Sequence, residues 1–152
     1  MPPMKSGPVD LGWTIASDQH VSLAQYKDKV VVLDFYATWC DPCRESIPHL
    51  VDLQQRYGPQ GLQVIGLNVG GEGDLEKVPA FARKFHIQYQ LGNPDPDLAR
   101  FYMGNDDGIP LTIVLDRQGR QVKRISGYDE SVDQELEETI QRSLQPVSAS
   151  LQ

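Results

Sequence analysis

Apolar and polar positions fall in blocks along this chain, and the blocks switch between the period of a strand and that of a helix. The run Val30-Val31-Val32-Leu33 is the longest continuous apolar stretch. With Asp34, Phe35 and Tyr36 it reads as a buried strand. Leu62 to Val69 reads as the next one. Between them Ile47, Leu50, Val51 and Tyr57 recur at helical spacing. They predict a helix from about Cys40 to Tyr57, kinked at Pro48 and stopped by Gly58-Pro59. A second helix is predicted over Leu75 to His86, with Asp74 as its N-cap and a stripe of Val78, Phe81, Ala82 and Phe85. Asp95-Pro96 opens a short helix that turns Leu98, Ala99 and Tyr102 inward. Leu111 to Leu115 and Gln121 to Ser126 form a hairpin around Asp116-Arg117-Gln118-Gly119. A last helix, opened by Ser131 and Gln134 as a capping box, runs to about Leu144 and buries Val132, Leu136, Ile140 and Leu144. Trp13-Thr14-Ile15 reads as a short edge strand.

Strands alternating with helices argue for an α/β layered sheet. The 152 residues suffice for one domain, and no internal repeat is visible. The division read from composition is a flexible Pro- and Gly-rich segment at 1–10, one domain over 11–145, and a flexible tail at 146–152. No apolar run reaches the ~18 residues of a membrane helix. The net charge of -7, with 14 basic residues scattered among 21 acidic ones, disfavours nucleic acid and anionic membranes as partners. The first seven residues hold no apolar signal core. The protein is therefore expected in the cytoplasm, or outside it after removal of an export segment.

Chemistry concentrates at Cys40 and Cys43, the two cysteines of the chain. A structural staple usually closes a longer loop, so this spacing points to redox or metal chemistry. The pair follows a buried strand and opens a helix. A strand end holds the first sulfur in place, and a helix N-terminus offers free N–H groups and partial positive charge. A thiolate is stabilised there, and the Cys40 pKa is expected below that of a free cysteine. Cys40, at the more exposed position, is assigned as nucleophile. Cys43, one turn inside, is assigned to resolve the mixed disulfide. Zinc would require further ligands, and the chain offers no third cysteine. His49 should point away from the sulfurs, and His20 and His86 are isolated.

The stretch Phe35-Tyr36-Ala37-Thr38-Trp39-Cys40-Asp41-Pro42-Cys43-Arg44 resembles the active-site segment of the thioredoxin superfamily, in particular its TlpA/ResA-like branch. Pro48 matches the helix-kinking proline, and Gly108-Ile109-Pro110 resembles the loop that carries the cis-proline. The resemblance runs from about Val9 to Leu144. It implies a thioredoxin-like fold: a central mixed β-sheet flanked by helices, with an N-terminal extension and a strand–helix insertion at about 68–92. It implies a protein disulfide reductase, with Pro110 cis and Ile109 pairing with an extended substrate. Trp39, Asp41 and Pro42 would shape the contact surface. Asp34 falls at the position of a buried acid, with a raised pKa, that accepts the proton of Cys43 through water. The Asp41 charge would oppose the helix effect on Cys40 and favour a reducing enzyme.

No cofactor beyond the cysteine pair is implied. The expected partners are protein disulfides and a membrane or thioredoxin-type electron donor, and the protein is expected to act as a monomer. The branch implies a periplasmic or other extracytoplasmic location in a bacterium. Where some members carry a glutamate three residues after the second cysteine, this chain has Ser46, and Glu45 is expected to face solvent. Two other readings compete. A thiol peroxidase would use Thr38 and Arg44 to polarise a peroxide. A copper carrier would hold Cu(I) on the cysteine pair and a histidine.

Overall fold

Val30–Tyr36 (β3) is apolar at six of its seven positions because both of its faces are covered. The computed structural model describes residues 11–146. The expected flexible segment at 1–10, and the tail beyond residue 146, lie outside the described residues. In chain order the elements are β1 (Gly12–Thr14), β2 (His20–Ser22), β3, α1 (Asp41–Tyr57), β4 (Leu62–Asn68), α2 (Val78–Phe85), β5 (Gln90–Pro94), α3 (Pro96–Met103), β6 (Leu111–Leu115), β7 (Gln121–Ser126) and α4 (Glu130–Leu144). The strands form one mixed sheet in the order β2-β1-β5-β4-β3-β6-β7. β3 runs parallel to β4, which runs parallel to β5. β6 and β7 continue antiparallel beyond β3.

Side-chain alternation along β3 divides the core. Val31, Leu33 and Phe35 point to one face, where they meet Trp13, Ile65, Leu67 and the Leu98 and Tyr102 of α3. Val30 and Val32 point to the other, against Leu50 and Leu53 of α1 and Leu136, Ile140 and Leu144 of α4. Asp34 and Tyr36 follow on that same face, where Tyr36 packs with Cys40, Cys43 and Ile47.

Four local expectations need correction. β1 is not an edge strand: it lies between β2 and β5, and Ile15 is already in the turn that closes on Gln19. The three-residue β2 carries no period of its own and exists through its pairing with β1. Residues Leu75–Lys77 form a 3-10 turn, and the α-helix begins only at Val78, with Pro79 in its first turn where no N–H is needed. Asp74 holds the N-cap position of this turn, but its side chain makes no capping bond: its carboxylate turns back toward Thr38. The last helix is capped by Asp129, two residues before Ser131, and Gln134 bonds Glu138 instead of closing a capping box. Asp129 wins because its side chain, in extended backbone, reaches the Ser131 N–H.

Strand β5 brings the sheet to β1. It has no alternating pattern, and Gly92 stands where a side chain would run into the Trp13 ring. Trp13 is fully buried and stacks beside Tyr26.

Candidate active site

The site sits where β3 ends and α1 begins. β3 and β4 stay in register to Tyr36 and Asn68, and the Val69 N–H still donates to the Tyr36 carbonyl. The chain then turns through Ala37, Thr38 and Trp39 to Cys40, the N-cap of α1. Cys40 and Cys43 are joined as a disulfide, with their Cα atoms 5.2 Å apart.

Geometry separates the two sulfurs. Cys40 keeps 5 % of its surface exposed and Cys43 none. The Cys43 N–H donates to the Cys40 Sγ at 3.2 Å. Pro42, in the first turn, has no N–H to offer, so Cys43 supplies the first-turn amide that reaches the sulfur. On its other side the Cys40 Sγ lies 3.8 Å from the Ile109 carbonyl oxygen. The Ile109–Pro110 peptide bond is cis. Pro110 is buried, and its carbonyl accepts the Gly127 N–H at 2.8 Å. The loop and the cysteine pair thus meet as the chain spacing of 69 residues does not by itself require.

The other candidate residues fall into two groups. Trp39 (60 % exposed), Asp41 and Pro42 lie at the surface around Cys40. Asp34 is buried on the α1 face of β3, and neither of its carboxylate oxygens has a hydrogen-bond partner. Burial pushes its pKa up to about 7. The Tyr36 and Tyr89 hydroxyls nearby are likewise buried without partners, and burial raises the pKa of both. Asp34 therefore holds a proton at mildly acidic pH and gives it up near neutrality.

Glu45 is exposed, as expected. Ser46 is buried and donates to the Cys43 carbonyl at 3.0 Å, so it braces the first turn of α1. The peroxide-polarising pair is otherwise engaged: the Thr38 hydroxyl donates to Asp74 at 2.6 Å, and Arg44 donates to the Thr38 carbonyl at 3.2 Å while lying over the Phe85 ring. His49 sits against the Asp133 carbonyl and His20 against Asp95. Among the described residues, no group of three or more His, Cys, Asp or Glu side chains is placed to hold a metal ion.

Sequence reasoning missed the loop after β4. Asn68, Gly70 and Asp74 surround Thr38 and Trp39. The available signal was a buried-strand pattern that ends on Asn68-Val69, followed by the two glycines Gly70 and Gly71.

Residues 10–136 match the AhpC/TSA family. The chain is 33 % identical over 119 residues to the thiol-disulfide oxidoreductase ResA of Geobacillus thermodenitrificans (strain NG80-2), across 76 % of this chain and 66 % of that protein. It is 32 % identical over 111 residues to the thioredoxin-like protein YneN of Bacillus subtilis (strain 168), across 72 % of this chain and 64 % of that one. It thus spans about two thirds of the length of these relatives. A crystal structure of a thiol:disulfide interchange protein of the thioredoxin family from Chlorobium tepidum TLS superposes with a TM-score of 0.76 at 26 % identity, covering 95 % of this chain and 100 % of that one.

Proposed function

Since this chain belongs to the AhpC/TSA family, we propose that it is a thiol–disulfide oxidoreductase which reduces disulfides of partner proteins. The observation that carries this reading is the asymmetry of the pair: one sulfur reaches solvent at a helix N-cap and accepts an amide N–H, while the other is sealed one turn inside.

In the reduced protein the Cys40 thiolate attacks one sulfur of the substrate disulfide. That S–S bond breaks, a Cys40–substrate disulfide forms, and the leaving thiolate takes up a proton. The Cys43 thiol then loses its proton, and its sulfur attacks the Cys40 Sγ. The substrate leaves with both sulfurs reduced, and the Cys40–Cys43 disulfide seen in the structure is left behind. Two electrons pass from the pair to the substrate, and no further cofactor enters the cycle.

Asp34 serves as acceptor of the Cys43 proton through water. Its burial, its missing partners and a pKa near the working pH support that role. Ile109 and Pro110 present the backbone against which an extended substrate segment lies, and Trp39, Asp41 and Pro42 form the contact surface around it. The Ile109 carbonyl beside the Cys40 sulfur supports this placement. A membrane-bound or thioredoxin-type dithiol returns the electrons. The resemblance to an exported branch supports an extracytoplasmic, periplasmic location, where the pair needs such a donor to stay reduced.

The test is a trap. Reduced Cys43→Ser protein should accumulate a stable mixed disulfide on Cys40 with a protein disulfide such as insulin, while the wild type turns insulin over with dithiothreitol as donor. A wild type that leaves insulin oxidised, together with a variant that traps nothing, overturns the reading.

A further inference from the structure

Asp74 is nearly fully buried, yet its side chain makes neither a helix-capping bond nor an ion pair in the described contacts. Its carboxylate takes three donors. One oxygen accepts the Thr38 N–H at 2.9 Å and the Asn68 side-chain amide at 2.9 Å, and the other accepts the Thr38 hydroxyl at 2.6 Å. Burial alone would push its pKa up, but the bonds from Thr38 and Asn68 outweigh burial and hold it below the usual carboxylate value. A buried carboxylate keeps its charge only where donors replace water, and here they do.

The surrounding loop is shaped to admit this group. Gly70 lies so close that any side chain there would collide with the Asp74 carboxylate. The Gly70 N–H donates to Asn68 Oδ1 at 2.9 Å, and the Gly70 carbonyl accepts the Trp39 indole N–H at 3.0 Å. Thr38 is held at both ends of its backbone: Asp74 takes its N–H, and Arg44 donates to its carbonyl at 3.2 Å. The stretch between β3 and the nucleophile is thus clasped by a loop about 36 residues away in sequence.

We propose that Asp74 is a positioning residue of the exchange reaction, holding Thr38 and, through the Asn68–Gly70 turn, the exposed indole of Trp39, so that the surface around Cys40 is preformed for a protein substrate. The proposal rests on the thiol–disulfide reading of this site. Asp74 touches neither sulfur in the described contacts. It acts through Thr38 and Trp39, and a small disulfide that needs only the Cys40 sulfur does not depend on it.

The experiment compares wild type with Asp74→Ala and Thr38→Val, the latter removing only the hydroxyl donor at nearly constant volume. Circular dichroism first fixes a temperature at which each variant is fully folded. There, Asp74→Ala should lower kcat/KM toward insulin about tenfold or more, as misplacement of a substrate-orienting surface does, and Thr38→Val should lower it less. The rate with a small aromatic disulfide should change less than about twofold, since the sulfur chemistry itself is untouched. The change in tryptophan fluorescence on reduction should shrink in the order wild type, Thr38→Val, Asp74→Ala, because Trp39 loses its fixed seat while Trp13 stays buried. Equal losses on both disulfides, or unchanged insulin turnover in folded Asp74→Ala, overturn the proposal. If the wild type reduces neither disulfide, the functional reading falls. The fluorescence series then decides on the clasp alone, and an unaltered signal in Asp74→Ala overturns it.

Discussion

The amide of Cys43 donates to the sulfur of Cys40 across a single helical turn, so the same N–H is placed to stabilise a thiolate there once the pair is reduced. The two cysteines differ in access and in surroundings, and their chemistry should differ accordingly. After reduction, iodoacetamide at pH 7 should modify Cys40 and leave Cys43 intact. Peptide mapping by mass spectrometry checks this, and modification of Cys43 first would reverse the assigned roles.

Asp34 should make the wild type less stable as the pH rises. Its folded pKa of about 7 lies above its ordinary value of 3.8. Between those values the folded protein keeps a proton that the unfolded chain releases, so stability declines across this window and levels off above it. Asp34→Asn should flatten the decline and raise stability at pH 8 by about 4 kcal/mol. Urea denaturation at pH 5 and pH 8 measures the difference. The same variant should slow release of reduced substrate, which stopped-flow detection of the mixed disulfide would follow.

Glu137 should act in the opposite sense. It accepts two bonds from Arg56 and one from the Tyr57 hydroxyl, which bind the end of α1 to α4. The Arg56 guanidinium and the Tyr57 hydroxyl lower its pKa to about 2. The stability from this group is present above its ordinary pKa of 4.5 and is lost as the pH falls through about 2. The pair is partly exposed, so Glu137→Gln should cost only about 1 kcal/mol at pH 7. Melting curves from pH 2 to pH 7 should converge at the acid end, with insulin reduction unchanged at neutral pH.

Trp39 is largely exposed, so little stability should depend on it. Trp39→Ala should move Tm by no more than about 2 °C and lower kcat/KM toward a protein disulfide about fivefold, in the manner of an aromatic anchor at an interface. Calorimetry and insulin turnover separate the two effects. A large fall in Tm with normal turnover would assign Trp39 to packing instead.

The parts of this molecule legible in its sequence are those where a local pattern and the tertiary environment agree. The Val30–Tyr36 run, the Leu111–Ser126 hairpin and the helix after Cys40 carry their own periods and end signals, and they appear with nearly the expected limits. β2 and β5 carry none: His20–Ser22 exists through β1, and Gln90–Pro94 has a glycine where Trp13 needs room. Caps are ambiguous in sequence because Asp and Ser can bond several backbone positions, and the fold chooses among them. Asp129 took the place read for Ser131, and Asp74 was drawn away from the helix start by Thr38. The cysteine pair was legible because its chemistry lies within four residues. The Asp74 clasp was not, because its partners meet only after β3 and β4 align.

Helix α1 is pinned at its rear by the Arg56–Glu137–Tyr57 joint, while Pro48 removes a backbone bond partway along it. The two halves therefore answer to different demands. Engineers seeking heat resistance can rebuild the rear half and its seat on α4 without altering the reactive tip, whereas tuning of redox behaviour belongs within the first two turns.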